Sequence, residues 1–312
     1  MSLTFSSISH MCKRLLIGLV LSIQSVVSVN AYCTETLRVR VDTTLNQIFI
    51  RDALKLALSK LDRAYELQDV RVAGVLSEPR HVRLVDKGLF DIFWQTTTVK
   101  LEQQLQPIRI PIFRGLMGYR ILVIPKNTQT KFDGIYHLSE FRDLRFGQSM
   151  HWPDTEILRA NGLKVEVSPH FLKLYPMLKI GRFDALPRGL HQAWYELPWA
   201  ESYVSEESDT GEKKVVFEIE KRLLLKYINP MYFFVSKKKP EFAKDIEKGM
   251  RLAINDGSYQ RLFLSNPTIK AAILKSDIKN RTIIHLYNPL LPPETPISEK
   301  ALWFDPEKEA LK

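Results

Sequence analysis

Residues 109–125, RIPIFRGLMGYRILVIP, constrain the possible folds of this chain more than any other stretch. They are apolar, rich in β-branched residues and broken at Gly115 and Gly118, so 108–113 and 119–124 each have the length and composition of a strand, with a bend between them. A β-α-β-α-β pattern precedes the stretch and a second α/β pattern follows it. Further on, 223–236 is again apolar and extended and leads back to helices. Two crossings between two α/β patterns predict a bilobal α/β protein that hinges at 109–125 and 223–236 and holds a ligand in the cleft between its lobes. The competing reading is a hairpin inside one large domain.

A chain of 312 residues, 45% hydrophobic and 26% charged, has room for two domains of ordinary size and lies outside the disordered and fibrous classes. Lys13 and Arg14 stand before an apolar run at 15–29 that is interrupted by Ser22, Gln24, Ser25 and Ser28. That pattern predicts a signal peptide over 1–31, cut after Ala31, and is too short and too polar for a membrane span. Translation can start at Met1 or at Met11. The cysteines are Cys12, inside the predicted leader, and Cys33, so the mature chain forms no internal disulfide and depends on its core. Tyr32 stands directly before Cys33, where a lipoprotein signal carries a small residue, so a soluble periplasmic product is expected. The net charge of +10 would suggest a nucleic-acid partner in a cytosolic protein; export argues against one. What remains is attraction to anionic solutes or a membrane surface, or solubility alone.

In the first pattern, strands are expected at 37–41, 70–73 and 90–94. Helices are expected on the apolar face of Ile50, Leu54, Ala57, Leu58 and Leu61 and between Ser77 and Gly88. Asp42, Thr43 and Thr44 make a turn before the first helix. The order predicts a parallel sheet with ligand contacts beyond its carboxyl ends, where Trp94, Thr96 and Thr97 fall. In the second pattern, strands are expected at 145–148, 164–167, 183–186 and 215–219. Helices start near Pro153, run over 172–180 and surround Trp194, and 205–214 reads as an exposed loop. The loop 148–155 leads into a helix start whose free N–H groups favour anionic or carbonyl groups. Met231 opens a strand and Pro240 a long helix with Phe242, Ile246, Met250 and Ala253 on one face. The tail from 287 is rich in proline.

No phosphate-binding glycine loop, dinucleotide fingerprint, nucleophile elbow or paired-histidine metal motif occurs, and the seven histidines are scattered. No cofactor or metal is expected. The phrases DKGLFDIFW, GQSMHWPDTEILRANGL, MLKIGRFDALPRG and NDGSYQRLF, in this order behind a leader, resemble the bacterial periplasmic solute-binding proteins of the type 2 fold, in the family that includes amino-acid receptors. The resemblance spans about 37–264 and implies a receptor that closes on a small solute. In amino-acid receptors an arginine soon after the third strand grips the α-carboxylate, and here Glu102 falls near that place. Their ammonium-binding aspartate follows the second lobe's DA, where this chain has Leu186, Pro187, Arg188 and Gly189. A shift of the alignment by a few residues would let Arg109 or Arg114 supply the arginine.

The expected architecture is therefore an α/β, two-lobed type 2 periplasmic binding protein fold with two interlobe crossovers. The first lobe takes 32–108 and 237–286, the hinges 109–125 and 223–236, the second lobe 126–222, and the tail 287–312. The expected ligand contacts are Trp94, Thr96, Thr97, Tyr119, Gln148, His151, Trp152 and Arg188. Aromatic faces would stack on the solute, hydroxyls and amides orient it, and Arg188 fork onto an anionic group. Core packing is the plainer role for the tryptophans, and a structural or surface role for His151. The expected function is non-enzymatic, monomeric capture of a small polar or anionic solute for a membrane permease. The alternatives are a partner for a membrane sensor, or a dehydratase-like enzyme using Glu102, Asp154 and Glu196.

Overall fold

A computed structural model of the chain describes residues 34–41, 45–72, 78–204, 215–305 and 309. The expected leader with Cys12 and Cys33, the turn at 42–44, Ala73, Ser77, the loop 205–214 and Pro306 lie outside the described residues. Strand β1 (Glu35–Arg40) pairs in parallel with β2 (Tyr65–Val70) across helix α1 (Leu45–Leu58). The buried stripe of α1, Ile50, Ala53, Leu54 and Ala57, packs on α7 (Pro240–Asn255), whose Phe242, Ile246, Met250 and Ala253 face it. Helix α2 (Glu78–Asp86) leads to β3 (Phe93–Thr96). The Thr98 hydroxyl then caps α3 (Val99–Gln104) by accepting from the Leu101 N–H, and β4 (Gln106–Ile108) follows.

The first-lobe strands depart from expectation in two ways. β2 lies at Tyr65–Val70 rather than 70–73, an edge strand in which exposed Glu66, Gln68 and Asp69 leave Tyr65, Leu67 and Val70 half-buried, so its apolar signal is weak. β3 starts three residues late and, instead of extending the parallel ladder, pairs antiparallel with β11 (Met231–Val235), which also takes β4. Asp91 carries the seam. Its N–H donates to the Arg38 carbonyl, and its carboxylate accepts from the Arg38 N–H and guanidinium and from Lys239.

The second sheet has the order β12 (Thr282–His285), β10 (Leu223–Lys226), β5 (Tyr119–Pro125), β8 (Leu186–Gly189), with β9 (Phe217–Ile219) also on β5. The parallel pair β6 (Arg145–Ser149) and β7 (Lys164–Ser168) joins it through a bridge from Phe146 to Ala185. Helices α4 (Pro153–Ala160), α5 (Leu174–Lys179) and α6 (Leu190–Val204) complete this part. Here 183–186 was expected to be a strand, but Phe183 is used to fill the space over Gly147. The N–H groups of Asp184 and Ala185 turn onto the Arg145 carbonyl, so the strand begins only at Leu186.

The chain passes from one sheet to the other between β4 and β5, and back between β10 and β11. The first passage is not a pair of strands. Pro111 lacks an N–H, Ile110 turns its N–H onto the Ile108 carbonyl, and Arg114 and Gly115 take positive φ (47° and 83°), so 109–118 is a bent connection ending in a 3-10 turn at Leu116–Gly118. The two passages touch at Gly118. A Cβ there would lie 1.9 Å from the Tyr227 carbonyl oxygen, and the Tyr227 N–H donates to the Gly118 carbonyl (3.1 Å).

After α7 come α8 (Ser258–Ser265) and α9 (Pro267–Ser276), and α9 packs on α6. The first-lobe assignment of 237–286 does not extend to β12, which pairs with β10 of the second sheet. The tail is irregular but fastened. Asn161 bonds both backbone groups of Tyr287, Asn288 donates to the Ile228 carbonyl, Leu290 accepts from Val99, and Phe304 donates its N–H to the Arg114 carbonyl. Trp303 covers Gly115.

Candidate functional site

A chamber of about 650 Å³ opens where the passages meet the helices. Gln47 and Ile50 of α1 form one wall, and Phe113, Met117 and Met231 form the floor. Phe171, Leu172 and the first turns of α6, with His191, Gln192, Tyr195, Glu196 and Trp199, form the other wall. Phe171, Trp199 and Tyr203 stack in a ladder with ring centroids 6.1 and 5.4 Å apart. A second, smaller space of about 210 Å³ shares Gln47 and Met231 with it and is lined by Arg40, His81 and Trp94.

Charge beside this chamber is paired within the protein. Nε and Nη2 of Arg188 donate to Glu196 Oε2 and Oε1, both at 2.6 Å, and the guanidinium lies 4.5 Å over Trp152 and 5.0 Å over Phe171. Burial works against that charge, yet the Glu196 carboxylate outweighs it and holds Arg188 above its usual pKa. Tyr175 donates its hydroxyl to the same carboxylate, and burial followed by the Glu196 charge pushes its pKa up. Arg120 pairs with Asp154 at 2.6 Å, both buried, and the Tyr227 hydroxyl donates to the same Asp154 oxygen. Glu102 accepts from Arg109 and from the Thr97 hydroxyl.

His191 is 1% exposed, stacks on Phe113 at 4.4 Å, and has no hydrogen-bond partner on either ring nitrogen. Burial, then the nearby Arg120 and Arg188, lower its pKa to about 3, so the ring is neutral. Gln47 Oε1 and Gln148 Oε1 are likewise buried without a partner.

None of the eight residues expected from sequence lines this chamber, and only some of them come together. Trp94 borders the smaller space and meets Phe233 edge to face, while Thr96 is buried opposite Met231. Thr97 is occupied by Glu102. Tyr119 faces a different cavity, of about 770 Å³, with Lys226 4.8 Å over its ring and Trp303 on the far wall. Gln148 is buried at the end of β6, and His151 is exposed in the turn before α4. Trp152 and Arg188 come together, behind Phe171 and Glu196 of the chamber wall. The residues that line the chamber, Gln47, Phe113, Phe171, His191 and Trp199, were not singled out from sequence. The available signal was the aromatic and polar density of LHQAWYELPW, directly after the DALPRG phrase.

No protein-family model matches the chain, and no curated protein sequence does. Solved structures do match. The probable amino-acid ABC transporter extracellular-binding protein ytmK of Bacillus subtilis superposes with a TM-score of 0.52 at 14% identity, over 76% of this chain and 99% of that one. This chain has the two-lobed type 2 periplasmic binding protein fold. The putative binding component of an ABC transporter of Wolinella succinogenes, complexed with lysine, shares that fold at TM-score 0.51 and 13% identity, over 73% of this chain and 94% of that one. The periplasmic VFT2 domain of Bordetella pertussis BvgS does so at 0.51 and 12%, over 73% and 92%. The passages 109–118 and 227–230 join the two sheets, and the chamber lies against the first of them and against Met231 at the end of the second.

Proposed function

We propose that this chain is an exported, monomeric solute-binding protein that closes on a small molecule in the chamber between α1 and α6 and presents it to a membrane permease. The observation that carries the reading is the chamber itself: α1 and α6 both line it, together with the 109–118 passage and Met231 at the start of β11, so bending at the passages would change its width. The fold is shared with binding components of ABC transporters, which supports uptake. It is also shared with a periplasmic domain of BvgS, which supports a membrane sensor as the alternative partner. Export rests on the leader over 1–31, cut after Ala31. A binding role is favoured over acid–base chemistry because Glu102, Asp154 and Glu196 are each held by an arginine, leaving no free carboxylate among them. The proposed site is formed by Gln47, Phe113, Phe171, His191 and Trp199, with Trp152 and Arg188 of the eight expected residues packed next to Phe171. Native mass spectrometry of protein purified from the periplasm tests the reading. A stoichiometric small molecule bound to a chain beginning at Tyr32 is expected, and a ligand-free chain that takes up nothing from a periplasmic extract would contradict it.

A further inference from the structure

The chamber's walls are apolar and aromatic, with Phe113, Phe171, Tyr195 and Trp199 presenting rings and Ile50, Met117 and Met231 completing them. The charged groups behind those walls are internally matched, Arg188 with Glu196 and Arg120 with Asp154. Removing a charge from such a pair to serve a ligand would leave its partner buried and uncompensated. What the chamber leaves unmatched is uncharged. Gln47 Oε1, from the first lobe, is a buried acceptor without a donor, and His191, from the second lobe, has both ring nitrogens free in a side chain 1% exposed. Buried polar groups of this kind are ordinarily satisfied, and these two, from α1 and α6, border the same open chamber.

We infer that the ligand is an uncharged, planar aromatic or heteroaromatic molecule bearing a hydrogen-bond donor for Gln47 and a polar group for His191, rather than an amino acid or another ion. This rests on the solute-binding reading above and names the class of solute. An anion would face a neutral imidazole and an arginine already forked onto Glu196. A cation would approach a carboxylate already filled by Arg188 and Tyr175. A zwitterion meets both difficulties. A flat uncharged ring packs against the exposed Tyr195 side chain and the borders of the Phe171–Trp199 ladder, and an amide, hydroxyl or ring N–H at its edge serves the two unmatched side chains. Because one of these belongs to each lobe, such a ligand ties the lobes together through neutral hydrogen bonds.

Calorimetry with four probes built on one ring tests the assignment: benzamide, which is uncharged, and benzoate, benzamidine and L-phenylalanine, which are anion, cation and zwitterion. The protein is first stripped by unfolding and refolding. Benzamide is expected to bind at least tenfold more tightly than each charged probe. Gln47→Leu and Tyr195→Ala, both at partly exposed positions, should each weaken benzamide about tenfold while keeping the wild-type unfolding temperature. A charged probe that binds as tightly as benzamide overturns the uncharged assignment and leaves a solute-binding protein. Failure of all four probes also overturns it. The broader reading falls only if native mass spectrometry of the unstripped protein finds no bound solute either. Unchanged benzamide affinity in both variants would place any binding outside this chamber and overturn the assignment.

Discussion

Arg188 illustrates what a single residue does and does not disclose in sequence. Its place after DALP marked it as belonging to the cleft region, but its partner Glu196 lies eight residues on, in α6, at a spacing that forms no recognised motif. Only the turn from β8 into α6 brings the two together. Because the pair is buried, Glu196→Gln should cost roughly 3 kcal/mol of stability or more, read by urea unfolding, since it strands the guanidinium. A loss below about 1 kcal/mol would mean that the pair is solvated. His191 was missed because nothing in sequence marks a histidine whose nitrogens are unpartnered. Its folded pKa of about 3 lies below its unfolded value, so the unfolded chain takes up a proton first as pH falls. Stability due to His191 is therefore whole above about pH 6.5 and is lost as pH drops toward 3, by up to about 1.4 kcal/mol per pH unit. Relative to wild type, His191→Leu should flatten the fall in unfolding free energy across that window. Parallel curves for the two proteins would contradict this.

At the scale of elements, the two crossovers were readable because a buried apolar run interrupted by glycines has few other uses. The geometry of the first was not, since Arg114, at positive φ, holds the tail through Phe304, and Gly118 touches Tyr227, 109 residues on. Edge strand β2 was misplaced because its outward face is polar, and β12 and α9 were not foreseen because their pairing partners, β10 and α6, are distant in sequence. Gly118→Ala forces the crossovers apart and should destabilise the protein by about 2 kcal/mol or more. Wild-type stability in that variant would show that the passages are not in contact. The tail makes a second prediction. Phe304 is 2% exposed, packs on Phe263 and anchors the strap that runs from β12 over Gly115. Phe304→Ala should cost roughly 3 kcal/mol by thermal or chemical unfolding, and a change near zero would mean that the tail is only loosely applied.

For the whole molecule, the two-lobed plan followed from counting crossings between α/β patterns, whereas the chamber followed from neither motif nor spacing. Its lining comes from α1, the 109–118 passage, Phe171, α6 and Met231, five places that only the folded chain assembles. On the proposed function, a solute held there couples the two lobes. Hydrogen exchange, measured with and without the solute that native mass spectrometry identifies, tests it most directly. The solute is expected to slow exchange together in α1, in 110–118 and in the first turns of α6, leaving β6, β7 and α4 unchanged. Protection confined to one lobe, or centred on Tyr119 and the tail, would contradict it.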